Sequence, residues 1–434
     1  MTDEGSPVPP HAALREAAAV PFPLSSAAAS PPTPKPTSAR TATGRLVGVD
    51  LARGLAVFGM YAVHVGPDPE VGGPLGFLLE AARGRSATLF GVLAGFSLVL
   101  IMGRRRPRRG RPARRATTRV VIRAVMLIAL GYALTALDTS IDVILSFYGL
   151  LFLLLLPLYR LRAGTLALLA AAGALLLPQI LYAIRVALDE GSWGDTLISA
   201  DPLARITGTD GLVELLFTGE YPALTWAPFL LAGMAVARLD LTRPGVRAKL
   251  ALTGTGLAVL GYGLSWLALR LVPGAVSLIA SATDGGSASS AWWSDAVGDP
   301  YGGASTPLAW LLVAAPHSQS TFSVLGSTGV ALLVLACCLT VVDRMPRLTR
   351  VLAPVAAVGT MALTVYALHI VALWLLTDVW SVPAADSDTM AALPMLLAFI
   401  AGAMLLAVLW TARFRRGPLE SLVHLAEFPA RRVR

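Results

Sequence analysis

Three side chains able to do chemistry, Asp50, Arg53 and His64, lie within "RLVGVDLARGLAVFGMYAVH", residues 45–64. Ten residues separate Arg53 from His64. Eleven helical steps of about 100° bring the two to within roughly 20° of one azimuth. Asp50, three residues ahead of Arg53, joins that stripe. One helix face thus carries a carboxylate, a guanidinium and an imidazole, the last two about 16 Å apart along the axis. A neutral imidazole accepts a proton near pH 7 and a guanidinium holds anions, so the stripe has the parts of a general base and an anion anchor. The plainer alternatives are an Arg that snorkels to an interface or pairs with Asp50, and a His at the outer interface making one hydrogen bond.

Other polar groups interrupt apolar text in the same way. His369, in "GTMALTVYALHIVALWLL", follows Thr364 and Tyr366. It is either a buried ring satisfied by a helix carbonyl or a Thr, or a second imidazole that orients or relays protons for His64. His317, in "AAPHSQSTFSVLGSTG", precedes another apolar run. It reads as a solvated loop residue or, with Ser318 and Gln319, as a group suited to sugar hydroxyls. Arg85 heads the run "RSATLF", as an interfacial cap or a site residue, and Glu220 opens "EYPALTW". Tyr221 and Trp226 there have the types of an interfacial aromatic belt. The sequence contains no metal-ligand constellation, no Gly-x-Ser-x-Gly elbow and no nucleotide fingerprint. Cys337 and Cys338 are adjacent inside an apolar run and outline neither a disulfide framework nor a zinc site.

The elements that must position these groups are transmembrane helices. The chain has 434 residues, 55% of them hydrophobic and 14% charged, with a mean hydropathy of +0.68. That is too apolar for a soluble domain of this length. Ten mostly apolar stretches, at about 46–66, 86–103, 120–137, 141–159, 163–188, 221–238, 247–273, 325–343, 351–377 and 389–411, are each long enough to span a bilayer. No strand alternation is visible, so the predicted fold is an all-α bundle of ten transmembrane helices over residues 45–415. Residues 1–44, rich in Pro, Ala, Ser and Thr, read as a disordered tail, and 416–434 as a basic tail.

Net charge is +9, but the arginines fall in loops, so the basicity reports topology and not nucleic-acid binding. Arg104 to Arg119, "YRLRAG", "RLDLTRPGVRAK", "DRMPRLTR" and "RFRRGPLE" alternate with loops bearing Asp195, Asp201, Glu214, Asp284, Asp299, Asp378, Asp386 and Asp388. Both termini and the basic loops are therefore expected in the cytoplasm of a plasma-membrane protein.

An Arg, ten residues and a His on a first span resembles the acyltransferase-three branch of the transmembrane acyltransferase superfamily. The longer stretches "RLVGVDLARGLAVFGM", "GRSATLFGVLAGFSL", "GEYPALTWAPFLLAGMAVARLDL", "GTMALTVYALHI" and "RRGPLE" resemble bacterial relatives of the heparan-α-glucosaminide N-acetyltransferase catalytic domain. The resemblance implies a bundle that takes an acyl group from cytoplasmic acyl-CoA, acetyl-CoA foremost, and places it on a glycan or lipid-linked carbohydrate at the other face, with no metal. Within that reading His64 and His369 are the catalytic candidates, Arg53 and Asp50 the donor-binding candidates, and Arg85, Glu220 and His317, placed toward the outer face, the acceptor-side candidates. The heparan branch commonly carries Asn where His64 sits, so the role of His64 follows the acyltransferase-three pattern. Membrane lipids are the expected surroundings, an oligomer is compatible with this reading, and a secondary transporter or flippase is the alternative. A cysteine placed in the 104–119 loop is expected to resist an impermeant thiol reagent added to intact cells, and labelling there reverses the orientation.

Overall fold

The computed structural model describes residues 46–191, 193–207, 209–283, 287–298, 306–380 and 392–432. The 1–44 tail and Asp284, Asp299, Asp386 and Asp388 lie outside these residues. The described residues are mostly helical, with no strand among them.

Every apolar stretch read from the sequence contains a helix. They are α1 (Val47–Val65), α3 (Arg85–Ile101) after the short α2 (Gly73–Ala82), α4 (Gly110–Thr135), α5 (Leu145–Leu155), α6 (Ala163–Glu190), α7 (Ala223–Ala237), α8 (Pro244–Leu271) and α9 (Thr321–Arg344). The ninth stretch is two helices, α10 (Ala353–Thr360) and α11 (Ala362–Trp374), and the tenth is α12 (Ala392–Arg413). A further helix, α13 (Pro418–Ala426), follows in the segment read as a basic tail. Among the described residues, seven helices are long and apolar enough to cross a membrane, with shorter apolar helices at Leu145–Arg160 and Ala223–Ala237. Exposed Leu168, Leu252, Val259, Leu397 and Leu409 give the helices the apolar exterior a bilayer requires.

Two boundaries differ from the sequence reading for physical reasons. α4 starts ten residues early, at Gly110, because Arg is a good helix former and carries the helix out past the apolar part. The ninth stretch breaks at Met361, whose φ of −128° and ψ of 37° are not helical. The first N–H groups beyond the break are taken by a side chain from α13, Glu420, whose Oε1 accepts from the backbone of Leu363 at 2.8 Å and of Thr364 at 3.2 Å. Its Oε2 accepts from Thr364 Oγ1.

Close packing is made by glycine. A Cβ on Gly359 of α10 would lie 1.7 Å from the Asp50 carbonyl oxygen of α1, and one on Gly54 of α1 would lie 2.1 Å from that of Val355. The same reciprocity joins α3 to α7, where Cβ atoms on Gly95 and Gly233 would meet the Leu230 and Val92 carbonyl oxygens at 2.0 and 1.8 Å. It also joins α8 to α9 through Gly254, Gly261, Gly326 and Gly329. Small residues at such crossings let backbones touch, the main source of helix association where lipid is as apolar as Leu. α1 runs antiparallel to α3, with Arg53 donating to Ser97 and Gly59 against Ser86. The start of α1 therefore shares the arginine-rich end of the bundle, and His64 lies toward the opposite end. Gly359→Ala is expected to lower the thermal midpoint in detergent by the equivalent of about 1–3 kcal/mol, as overpacked sites do. Gly256→Ala, where an added Cβ meets nothing within 4 Å, is expected not to lower it.

Candidate functional site

The structure brings His64 and His369 together. His64 Nδ1 lies 2.9 Å from His369 Nε2, with the rings 5.2 Å apart and within 6° of parallel. His369 is buried, and its Nδ1 is hydrogen-bonded to the Tyr366 carbonyl one turn earlier in α11. That carbonyl can only accept, so Nδ1 of His369 carries the proton. Its Nε2 then holds a lone pair, which accepts from Nδ1–H of His64. The neutral tautomer of His64 is thereby fixed with the lone pair on Nε2, the arrangement a general base needs. Tyr61 braces the pair: its hydroxyl donates to the Val365 carbonyl at 2.9 Å, and its ring lies 4.9 Å from that of His369 and 6.0 Å from Phe399.

Arg53 and Asp50 sit toward the arginine-rich end of α1. Arg53 Nη1 donates to Asp50 Oδ1 at 3.0 Å and Nη2 to Ser97 Oγ at 2.8 Å. Arg53 also lines a cavity of about 320 Å³. Its walls are mostly apolar, from Phe90 and Leu93 of α3 and Tyr148 and Phe152 of α5, with Glu420 and Arg123 at one side. Beside it, sharing Ile101, Arg123, Thr360 and Glu420, is a pocket of about 420 Å³ ringed by Arg108, Arg119, Arg415 and Arg416. An aromatic path leads from the cavity wall to the imidazoles, with Phe90 6.4 Å from Tyr366 and Tyr366 5.1 Å from His369 by ring centres.

The remaining candidates fall in two places. Arg85 is buried, with Nε donating to Tyr262 Oη at 2.8 Å, Nη1 to the Glu80 carbonyl at 2.9 Å and Nη2 to the Trp293 carbonyl. It pins the segment around Trp293 to the head of α3, and every nitrogen of its guanidinium is engaged with protein. His317 and Glu220 form an ion pair, Nδ1 to Oε1 at 2.5 Å. Burial opposes the charge on His317, but Glu220 through its charge and hydrogen bond, with Asp295 and Asp142 adding, pushes the pKa up to about 9. Tyr221 and Trp226 pack around this pair, their rings 5.5 and 6.4 Å from that of His317. Both are buried in the bundle instead of forming an interfacial belt, because the loop bearing His317 covers them. Cys338 is buried and Cys337 exposed, on directions about 100° apart around α9.

Sequence reasoning gave no role to Glu420, Arg123 or Glu427. The only signal was a pair of carboxylates inside an otherwise basic tail. Among the described residues no group of three or more His, Cys, Asp and Glu is placed to hold a metal ion.

Apolar helices around a buried imidazole pair, with an apolar cavity beyond Phe90 and Tyr366, define a multi-pass membrane protein. The chain belongs to the family described as heparan-alpha-glucosaminide N-acetyltransferase, catalytic, whose model matches residues 45–267, just over half of it. This places it among membrane acyltransferases. Residues 300–428 match a second family, described as a protein of unknown function (DUF418). His64 thus lies in one matched region, and His369, His317, Glu420 and Glu427 in the other. No match is found among curated proteins.

The His317–Glu220 pair makes a pH prediction. A raised imidazole pKa contributes stability that is complete below the unfolded value of about 6.5. That contribution is lost as pH rises through about 9. The difference in thermal midpoint between wild type and His317→Gln should therefore narrow from pH 6.5 to 9.5, and a constant difference across that range excludes the charged pair.

Proposed function

We propose that the protein transfers an acyl group, acetyl foremost, from cytoplasmic acetyl-CoA to a hydroxyl or amine of a carbohydrate acceptor at the extracytoplasmic face, through a ten-span bundle with both termini in the cytoplasm. The observation that carries this reading is the pair of adjoining spaces at the arginine-rich end, a cationic pocket opening beside an apolar cavity. Such a pair suits a substrate with phosphates at one end and a long neutral arm at the other. Arg108, Arg119, Arg415 and Arg416 would hold the phosphates, and the arm would run past Arg53 toward His64, about 16 Å further along α1.

In this reading the acceptor's proton passes to Nε2 of His64 as its oxygen or nitrogen bonds to the thioester carbonyl carbon. The tetrahedral intermediate then expels the thiolate, which recovers a proton from the His64 imidazolium. His369 works through His64: with its own Nδ1–H held by the Tyr366 carbonyl, it keeps the basic nitrogen pointing away from the pair. The apolar surroundings exclude water that would hydrolyse the thioester.

The test is transfer of label from acetyl-CoA to glycan or lipid in inverted membrane vesicles. His64→Ala is expected to lower the rate by about 10²–10⁴ with donor affinity kept, the usual worth of general-base help. Arg53→Ala should chiefly weaken donor binding, and His369→Ala should slow transfer less than His64→Ala. Full transfer by His64→Ala, with loss in His317→Ala, moves the base to the other imidazole.

A further inference from the structure

The C-terminal helix α13 is fastened to the bundle at two points of unlike strength, and both lie at the junction of the two spaces. At its start, Glu420 is held by three donors from the first turn of α11. Just beyond its end, Glu427 is held by one side chain, Arg123 of α4, whose Nε and Nη2 donate to the same oxygen, Oε1, at 3.1 and 2.9 Å. Among the described residues the other oxygen has only His424, at 3.7 Å. Arg123 lines both the apolar cavity and the cationic pocket.

Of the arginines around that pocket, Arg108, Arg119, Arg415 and Arg416 have no carboxylate partner among the described residues, and Arg123 alone is neutralised. A carboxylate that removes one cation from a pocket suited to phosphates competes with them. Leu422, Leu425 and Phe428, on and just beyond α13, are exposed while Val423 and Ala430 are buried, so apart from these two small side chains the Arg123 pair is what holds that end.

We propose that Glu427 is an internal competitor for the donor's phosphates. On this view Arg123 exchanges the Glu427 carboxylate for a phosphate of acetyl-CoA, and the end of α13 is released while Glu420 stays pinned. The proposal rests on the acyl-CoA reading above. It makes Arg123 a donor-binding residue and Glu427 a residue that sets donor affinity, acting through Arg123. No bond is made or broken other than the exchanged ion pair.

The experiment is a double-mutant cycle on the full chain in nanodiscs of neutral lipid, with acetyl-CoA affinity measured directly. Removing the competing charge is expected to tighten binding, Glu427→Gln lowering Kd roughly three- to tenfold, the scale of one part-exposed charge pair. Arg123→Gln should raise Kd by a similar factor. In the Arg123→Gln background, Glu427→Gln should then change nothing, because its effect passes through the guanidinium. Unchanged or weaker binding by Glu427→Gln makes the pair merely structural and overturns the proposal. Equal tightening with and without Arg123 also overturns it, since only the general field of the pocket would then be at work.

Hydrogen exchange on the wild type reads the same step without substitution. Acetyl-CoA should speed exchange at residues 424–432 and leave Leu363 and Thr364 protected, whereas slower exchange at 424–432 contradicts release. Failure of the wild type to bind acetyl-CoA at all would bring down the acyl-CoA reading itself. That result is distinct from binding that is indifferent to Glu427.

Discussion

A helix that begins within a bundle exposes N–H groups in its first turn that need partners, and each one left buried and unpaired costs about 1–3 kcal/mol. The break at Met361 creates this situation beside the wall of the internal cavity. Glu420 resolves it by giving both carboxylate oxygens to the first turn of α11, where the helix dipole also favours a negative charge. The break frees α10 to lie backbone to backbone on α1 at Gly359 and Gly54, while α11 takes the separate course that brings His369 to His64.

The two imidazoles are therefore set by groups from distant parts of the chain. α1 supplies His64, α11 its partner His369, and α13 the carboxylate that caps the start of α11. Arg123 and Glu427 join this last segment to α4, so the cationic pocket and the apolar cavity share walls, and Tyr366 links the cavity wall to the imidazole pair. The residues concerned fall in both matched regions, His64 and Arg123 in the first and His369, Glu420 and Glu427 in the second.

Apolar length was legible in the sequence because it is additive and local: each of the ten stretches contains a helix. The Asp50–Arg53 pairing was also legible, being fixed by spacing on one helix. The contact of His64 with His369 was readable only as one of two options, because it depends on how two helices cross. Arg85 shows the limit most clearly. Its position ahead of an apolar run suggested either a cap or a site residue, and only the fold reveals that Tyr262 and the Glu80 and Trp293 carbonyls occupy its guanidinium. The break at Met361 left no trace because its cause, Glu420, lies some sixty positions later in a segment with too little apolar text to look like structure. α13 is short and amphipathic, and its helical state comes from docking more than from its own propensity.

The glycine seams have a mechanical consequence. Where a carbonyl of one helix occupies the place of a missing Cβ on the next, as at Gly359 and Gly233, sliding the helices past each other drives backbone into a neighbouring side chain within a fraction of a turn. The pairs α1–α10, α3–α7 and α8–α9 therefore behave as welded beams. Any working stroke of this protein has to bend at the joints between beams.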